Sequence, residues 1–302
     1  MTYKYHIVIM TDESGWHSDV LKQAFESYEC RVNLVSLADC RIDLDSKRGL
    51  HIPGFEDKLP DGIFVRGIST GSLEQITLRL GILHALRELG VPVYNDARAI
   101  ERSVDKSMTS FLLHKAGIAT PSTFVSESAE QAKLYLTNES DKGHEVVIKP
   151  LFGSQGTGLK RLFNKGDLPA SIEYNNVYYL QRFISNATNQ WHDWRVFVVG
   201  NKAIAAMRRQ GQSWISNVAQ GATCEFAIVN DELANLAENA ALALNMDYAG
   251  IDIIRDSDNK AYVLEVNSMP AWSGLQTVNN LNIAQSLASD FLFRRLLNAI
   301  AS

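Results

Sequence analysis

The hydrophobic pattern of the first hundred residues alternates between two periods. Short continuous apolar runs predict buried strands, and longer segments with apolar residues every three or four positions predict helices. In chain order these segments are 6–10 (strand), 20–28 (helix), 30–36 (strand), 61–66 (strand), 73–89 (helix) and 91–94 (strand). Because strands that alternate with helices form parallel sheets, we predict an α/β domain with a parallel sheet at residues 1–98.

Beyond residue 98 the predicted strands follow one another with fewer helices between them. Turn-forming residues at Gly200-Asn201 and at 256–259 indicate two hairpins. Strands joined by such short turns pair in an antiparallel manner. The predicted elements are helices at 105–115 and 233–244, and strands at 145–149, 177–184, 194–199, 203–207, 251–255 and 262–266.

Composition narrows the class of protein. The 302 residues are 46% hydrophobic and 21% charged, which suits a globular chain of two or three domains. A formal net charge of -5 argues against a general nucleic-acid binder. The three cysteines show no CxxC spacing, and no apolar stretch is long enough for a signal segment or a membrane span. We therefore expect a cytoplasmic protein that binds neither nucleic acid nor membranes.

Acidic residues within apolar strands are the sharpest chemical signal. Glu265 and Asn267 lie two residues apart and so share a strand face. If residues 256–260 form a hairpin turn, Asp252 lies opposite Leu264 or Glu265. Three oxygen ligands on one face suit Mg²⁺, which proteins usually hold with carboxylates and nucleotide phosphates. The alternative is an amphipathic strand with a solvated face, but acids among apolar residues on central strands need a partner.

A lysine before a glycine-rich segment is the second signal. Lys149 ends an apolar strand, and Gly153-Ser-Gln-Gly-Thr-Gly158 follows it. The backbone N–H groups of such a loop can cradle phosphates that the lysine neutralises. The spacing fits neither a Walker A loop nor a dinucleotide-binding fingerprint. Taken alone, the glycine segment is more often a plain turn.

Two weaker signals lie in later strands. The apolar run 179–184 is able to line an adenine slot, although an ordinary core strand is the commoner explanation. Asp193 and Arg195 share a strand face, and Arg208 and Arg209 end the next strand. Arginines suit recognition of phosphate or carboxylate, whereas the alternative is a surface salt bridge of little energetic weight.

These signals occur in an order that resembles the RimK-like amino-acid ligases of the ATP-grasp superfamily. The resemblance covers about residues 61–295, and Asp252 followed by Leu264-Glu-Val-Asn-Ser268 is its most specific part. Trp214-Ile-Ser-Asn217 with Ala219-Gln-Gly221 is similar to the large loop of that family. The ordered motifs are Asp105-Lys106, Lys149 with its glycine segment, Gln181-Arg-Phe-Ile184, Asp193-Trp-Arg195, Asp252 and Glu265-Val-Asn267.

The resemblance implies an ATP-grasp fold. An N-terminal pre-ATP-grasp domain at 1–98 would precede two α+β lobes at 99–183 and 184–302, with ATP between the lobes. Two Mg²⁺ (or Mn²⁺) ions would be held by Asp252, Glu265 and Asn267, and Arg209 and Arg195 would be catalytic. The implied ATP-binding residues are Lys106, Lys149, Ser154, Gln155, Gly156, Gln181, Arg182, Phe183, Ile184, Asp193 and Asn217.

The chain departs from the family pattern at two positions. Arg182 stands where the hinge usually carries an acid that binds the ribose, so ribose recognition differs. Ile215 stands where some relatives have a second arginine, which implies fewer phosphate contacts. Relatives with an apolar residue there tend to act on small molecules or carrier-bound amino acids.

The resemblance further implies an ATP-dependent carboxylate–amine ligase that works through an acyl phosphate. It would add an amino acid, commonly glutamate, to a small-molecule or carrier-bound carboxylate, and the chain looks most like pterin-type glutamate ligases. Arg66 and Arg208 would bind substrate, although Arg66 is equally explained as a surface charge. Two alternative interpretations are a small-molecule kinase and a nucleotide-binding regulatory module. The protein is also compatible with a homo-oligomer.

Overall fold

A parallel sheet occupies the first third of the chain, as the hydrophobic pattern predicts. The computed structural model describes residues 3–153, 156–185, 191–218 and 221–297, and the predicted ATP ligands Ser154 and Gln155 lie outside these ranges. The first elements are β1 (Tyr5–Met10), α1 (Trp16–Glu26), β2 (Cys30–Val35), β3 (Arg41–Ile42), β4 (Leu50–His51), β5 (Gly62–Val65), α2 (Leu73–Glu88) and β6 (Val93–Tyr94). The parallel sheet has the strand order β2-β1-β5-β6, and β3 and β4 form a small separate hairpin.

Two short helices, α3 (Ala97–Val104) and α4 (Lys106–Lys115), follow where the sequence predicted one at 105–115. Asp105 separates them, because its side chain accepts hydrogen bonds from the backbone N–H groups of Ser107 and Met108 at the start of α4. Ala99 and Leu113 are buried in the core beneath the last sheet of the chain. Ala97 and Ile100 of α3 are buried in the N-terminal core, so residues 97–115 contact both parts of the protein.

The second sheet is antiparallel and has its own core. Its elements are β7 (Thr123–Ser126), α5 (Ala129–Asp141), β8 (Val146–Lys149), β9 (Lys160–Leu162) and β10 (Tyr178–Arg182), in the strand order β7-β10-β8-β9. Ala132 and Leu136 of α5 are buried against Val146, Ile148 and Leu180 of the sheet. The short apolar runs of β8 and β10 thus cover one face of α5.

The third sheet has five antiparallel strands. Its elements are β11 (His192–Val199), β12 (Lys202–Gln210), β13 (Thr223–Ala227), α6 (Asp231–Leu244), β14 (Tyr248–Arg255) and β15 (Ala261–Asn267). The strand order is β13-β12-β11-β14-β15, and both predicted hairpins, β11–β12 and β14–β15, are present. The Ala- and Leu-rich face of α6 covers one side of this sheet.

The opposite side of the third sheet shares a core with the N-terminal sheet. The ring of Tyr248 is stacked on Phe64 and Tyr94, with centroids 5.2 and 5.3 Å apart. Helices α7 (Ser273–Thr277) and α8 (Ile283–Asp290) close this core, and α8 continues as a π-helix at Phe291–Leu296. In the part of the chain that is described, no helix has the length and apolar character needed to cross a membrane.

Candidate active site

A cleft between the second and third sheets collects most of the predicted site residues. Strands β8 and β10 form one wall, and β11, β12, β14 and β15 form the other. Arg66, Arg195, Arg208 and Asn267 do not line this cleft. The predicted site residues that do line it are Lys106, Lys149, Gly156, Gln181, Arg182, Phe183, Ile184, Asp193, Arg209, Asn217, Asp252 and Glu265.

The β14–β15 hairpin places the acidic residues at one end of the cleft. Asp252 lies opposite Glu265, and Gly250 lies opposite Asn267. A register shift follows Asp252, which indicates a β-bulge of the kind that reorients side chains next to functional sites. The expectation that Asp252 faces Leu264 or Glu265 is thus resolved in favour of Glu265.

Two arginines neutralise Asp252 in a buried network. Arg195 donates from Nε and Nη2 to the two Asp252 oxygens, each at 2.7 Å, and Arg209 Nη2 approaches Oδ2 at 2.9 Å. Arg209 also donates from Nε and Nη2 to Asp193 at 2.6 and 2.8 Å. Burial alone would raise the pKa of Asp252, but the arginines outweigh it and lower that pKa to about 2. Two acids and two arginines therefore form a charge-balanced cluster.

The strands of the third sheet explain why these side chains meet. Arg195 pairs with Asp252 across β11 and β14, and Asp193 pairs with Arg209 across β11 and β12. Because alternate residues of a strand share a face, all four side chains project from the same side. Arg208 projects from the other side and pairs with Glu225 at 2.7 Å. Its position does not support a contact with substrate in the cleft.

Two lysines stand across the cleft from the acids. Lys149 Nζ donates to Gln181 Oε1 at 2.6 Å, and Lys106 Nζ donates to the carbonyl oxygens of Leu151 and Gly153 at 3.2 and 2.8 Å. Burial lowers the pKa of Lys149 to about 8, an effect that the negative charge of Glu265 opposes. Burial also lowers the pKa of Lys106. A buried cationic pair of this kind is suited to a polyanionic ligand.

The donor set at the hairpin fits a hard cation. Within the described ranges, Glu265 forms no ion pair, and no group of three or more Asp, Glu, His or Cys side chains is arranged as a complete metal cage. Asn267 donates its Nδ2 to the Gly250 carbonyl at 3.2 Å, which leaves its amide oxygen as an acceptor. Two carboxylates and one amide oxygen suit Mg²⁺ that takes its remaining ligands from phosphates and water.

An apolar slot forms the other end of the cleft. Phe183 follows β10, and the ring of Trp214 meets it edge-on with centroids 5.8 Å apart. The guanidinium of Arg161, on β9, lies 4.2 Å from the Phe183 centroid and pairs with Glu145. Apolar side chains of Val147, Ile184, Ile254 and Leu264 also line the cleft. Apolar and aromatic linings of this kind are typical of small-molecule sites.

Sequence reasoning gave no role to Arg161, whose guanidinium lies over the Phe183 ring, and it assigned Arg182 to ATP binding. Arg182 lines the cleft, but its Nε donates to the buried Glu139 on α5 at 2.8 Å. This pairing turns its charge towards α5. Arg161 is the middle residue of β9, which follows the glycine segment. Its side chain therefore projects from the opposite face of the strand to Lys160 and Leu162, and this alternation could be predicted from the sequence.

Arg66 lies outside the cleft, at the end of β5. Its Nη1 donates to the Met269 carbonyl at 3.2 Å, and its guanidinium lies 5.2 Å from the ring centroid of Trp272. His17 Nε2 accepts from the backbone N–H groups of Trp272 and Ser273 at 3.0 and 3.2 Å. No motif in the sequence singled out His17 or Trp272.

Comparison with known proteins identifies this arrangement. Residues 103–291 match the model of the RimK-like ATP-grasp domain. The chain is similar to the tetrahydromethanopterin:alpha-L-glutamate ligases of Methanocaldococcus jannaschii (34% identity, covering 93% of this chain and 95% of the relative) and Methanococcus maripaludis (32%, 94% and 97%). It also shares its fold with the ATP-grasp ligase PsnB complexed with minimal precursor, Mg and ADP, at a TM-score of 0.71 and 18% identity, over 98% of each chain.

Proposed function

Since the chain belongs to the RimK-like ATP-grasp family of ligases, we propose that it activates a carboxylate as an acyl phosphate and joins it to an amine. The observation that carries this proposal is the cleft itself, where Lys106 and Lys149 stand opposite the acids of the β14–β15 hairpin. Relatives named as glutamate ligases support glutamate as the amine substrate.

The cleft residues suggest how ATP is held. The two lysines would neutralise its phosphates, and the segment 153–158, with Ser154, Gln155 and Gly156, would cover them. The slot beside Phe183 would take the adenine, with Gln181 to Ile184 as the hinge and Asn217 near the phosphates. Because Arg182 is paired with Glu139, we propose that the ribose is held by other groups.

The oxygen donors at the hairpin would hold magnesium. Asp252, Glu265 and Asn267 are proposed to bind two ions, which when bound would neutralise the charge of the transferred phosphoryl group. Glu265 is the donor without a competing ion pair in the described chain, so we expect it to contribute most directly. Asp252 would share its oxygens with Arg195.

We propose that Arg209 acts during the phosphoryl transfer. An oxygen of the acceptor carboxylate forms a bond to the γ-phosphorus while the bond to the ADP oxygen breaks. Arg209, held in place by Asp193, would stabilise the charge that develops on the transferred group, and Arg195 would assist through Asp252. The amine then attacks the acyl carbon, loses a proton and expels phosphate.

The acceptor is proposed to be a carboxylate on a pterin-type cofactor, a carrier or a protein terminus. The names of the two methanogen relatives support the pterin type among these. Arg66 is retained as a proposed substrate contact. Arg208 is left out of the proposed site because it projects from the opposite face of the sheet.

Hydroxylamine trapping tests the order of this chemistry. The protein is incubated with ATP, Mg²⁺, hydroxylamine and a panel of carboxylate acceptors that includes tetrahydromethanopterin. We expect an acceptor hydroxamate to form although no amine substrate is added. Mass spectrometry of the products checks this. A stable phosphorylated product that added amines never consume would instead indicate a kinase. ATP hydrolysis that responds to no acceptor or amine would indicate a nucleotide-binding module.

A further inference from the structure

Arg66 lies where the N-terminal sheet meets the loop after β15, and it forms no ion pair with any described residue. It follows β5 and is partly buried between this sheet and the segment that contains Met269 and Trp272. Its Nε is buried and has no hydrogen-bond partner in the structure, and only its Nη1 donates a hydrogen bond to a described residue. Since the buried Nε is closed to a ligand, the terminal Nη groups of this partly exposed side chain are the donors that remain for one.

The charges around Arg66 differ from those around the arginines of the cleft. Arg195 and Arg209 each form bidentate hydrogen bonds with an aspartate, whereas Arg66 forms no ion pair within the described ranges. Burial lowers the pKa of Arg66, and the neighbouring Tyr248 opposes this effect. A buried cation without a counter-ion is unfavourable in the free protein. An anionic ligand would remove that penalty.

The neighbouring groups do not supply the missing negative charge. His17 accepts two backbone hydrogen bonds through Nε2, which requires this nitrogen to be unprotonated. Burial and the charge of Arg66 lower the pKa of His17 to about 4, so it is neutral at physiological pH. The indole N–H of Trp272 is also buried without a hydrogen-bond partner in the structure. The surroundings therefore offer donors and an aromatic face.

The position of Arg66 relative to the cleft suggests which anion it binds. Met269, whose carbonyl accepts from Arg66, lies two residues after Asn267 of the proposed metal site. The reacting carboxylate must reach the phosphoryl group beside Glu265 and Arg209, and Arg66 does not line that part of the cleft. ATP phosphates would be held by the lysines. What remains for Arg66 is an anionic group beside the reaction centre.

We propose that Arg66 binds a spectator carboxylate, one that a substrate carries but that is not activated. This inference rests on the proposed ligase function and makes Arg66 a specificity residue. No bond is formed or broken at this group. The carboxylate belongs either to the incoming amino acid or to the acceptor, and the two sources are distinguished below by separate measurements.

Ligand-induced stabilisation tests the binding site. Arg66→Met removes the charge at similar length, and Arg31→Met, on the exposed face of β2, is the matched control. Melting temperatures are measured with Mg²⁺ and ADP, and then with added L-glutamate, glutarate, L-glutamine or the acceptor tetrahydromethanopterin. We expect Arg66→Met to keep its unliganded melting temperature or raise it, to keep the ADP shift, and to lose the shift from the substrate that carries the spectator carboxylate. Arg31→Met should match the unsubstituted protein throughout.

Two results would contradict the proposed role of Arg66. If the unliganded melting temperature of Arg66→Met falls while the carboxylate shifts persist, Arg66 is structural and the proposal is wrong. It is also overturned if no carboxylate stabilises the unsubstituted protein in the presence of Mg²⁺ and ADP. These binding measurements need no turnover, so failure of the hydroxamate experiment would refute the proposed chemistry separately.

Steady-state kinetics identifies the source of the carboxylate. A hydrogen-bonded charge pair corresponds to about a 10- to 100-fold change in affinity. If the amino acid supplies the carboxylate, Arg66→Met raises KM for glutamate by this factor and leaves KM for the acceptor unchanged. If the acceptor supplies it, the pattern is reversed. Arg66→Lys should recover part of the affinity, and unchanged values for both substrates would overturn the proposal.

Discussion

At the scale of single residues, strand alternation decides which charged side chains reach the cleft. Arg208 and Arg209 are adjacent, so they must project from opposite faces of β12, and only Arg209 lines the cleft. The sequence shows that only one of the two can face the cleft, but which one depends on the register shift between Phe197 and Val198 of the β11–β12 hairpin. The pairing of Arg195 with Asp252 could not be predicted either, because it depends on how β11 is registered against β14.

The ion-pair network also determines which substitution tests the proposed metal site without changing the stability of the fold. Removing Arg209 would leave Asp193 without its buried partner and would take one of two arginines from Asp252, so stability and catalysis would change together. Glu265 has no ion pair in the described chain, and its substitution disturbs no such network. Glu265 is therefore the better position for a test.

We expect Glu265→Gln to lower kcat by about 100-fold or more, the scale on which one charge-stabilising group acts in an active site. Its unliganded melting temperature should match that of the unsubstituted protein. Glu225→Gln, an exposed carboxylate of the same lobe, is the control and should retain turnover. Product formation at saturating Mg²⁺ checks the expectation, and undiminished turnover by Glu265→Gln would remove this residue from the metal site.

At the scale of elements, strongly apolar strands were predicted and weakly patterned segments were missed. Strands β8, β10 and β14 have continuous apolar runs with β-branched or aromatic residues, and the sequence predicted each of them. Helix α5 is mostly polar and was not predicted. It buries only Ala132, Leu136 and Glu139, so its place in the fold depends on tertiary contacts that a local pattern does not contain.

The Glu139 carboxylate of α5 pairs with Arg182 at the end of β10. It accepts from Arg182 Nε at 2.8 Å and from Lys142 Nζ at 3.0 Å. Burial raises its pKa, but the hydrogen bonds and charges of Arg182 and Lys142 outweigh this and lower the pKa to about 2. A lowered folded-state pKa stabilises the protein above the unfolded value of 4.5, and this contribution is lost as the pH falls towards 2.

Glu139→Gln should therefore destabilise the protein by about 1–2 kcal/mol near pH 7, since its cationic partners are partly exposed and screened by solvent. The difference from the unsubstituted protein should be constant between pH 7 and the unfolded pKa and should narrow below it. Thermal unfolding across this pH range measures it, with the exposed Glu130→Gln of the same helix as control. If the difference in stability stayed constant at the lowest pH, the packing of the Glu139 side chain rather than its charge would account for its stabilising effect.

At the scale of the whole molecule, the two walls of the cleft differ in how they are supported. The third sheet shares one core with the N-terminal sheet, through residues such as Phe64 and Tyr248. The second sheet has a separate and smaller core. The sequence predicted the order of these units, but it could not predict which of them share a core, because that depends on which faces meet. A nucleotide between the walls would thus contact two units that have separate cores.

Separate cores predict separate responses to core substitutions. Leu136 lies in the core of the second sheet, and Leu287 lies in the shared core, and both are almost fully buried. A leucine-to-alanine change in such a position costs about 2–5 kcal/mol. Leu136→Ala should therefore lower amide-exchange protection in β8 and β10 and weaken binding of ADP with Mg²⁺, while protection in β1 and β11 is retained. Leu287→Ala should lower protection in β1 and β11, and hydrogen exchange measured by mass spectrometry distinguishes the two patterns. If both variants lost protection equally in all strands, the protein would unfold as one cooperative unit, and the two walls of the cleft would not be independently stable.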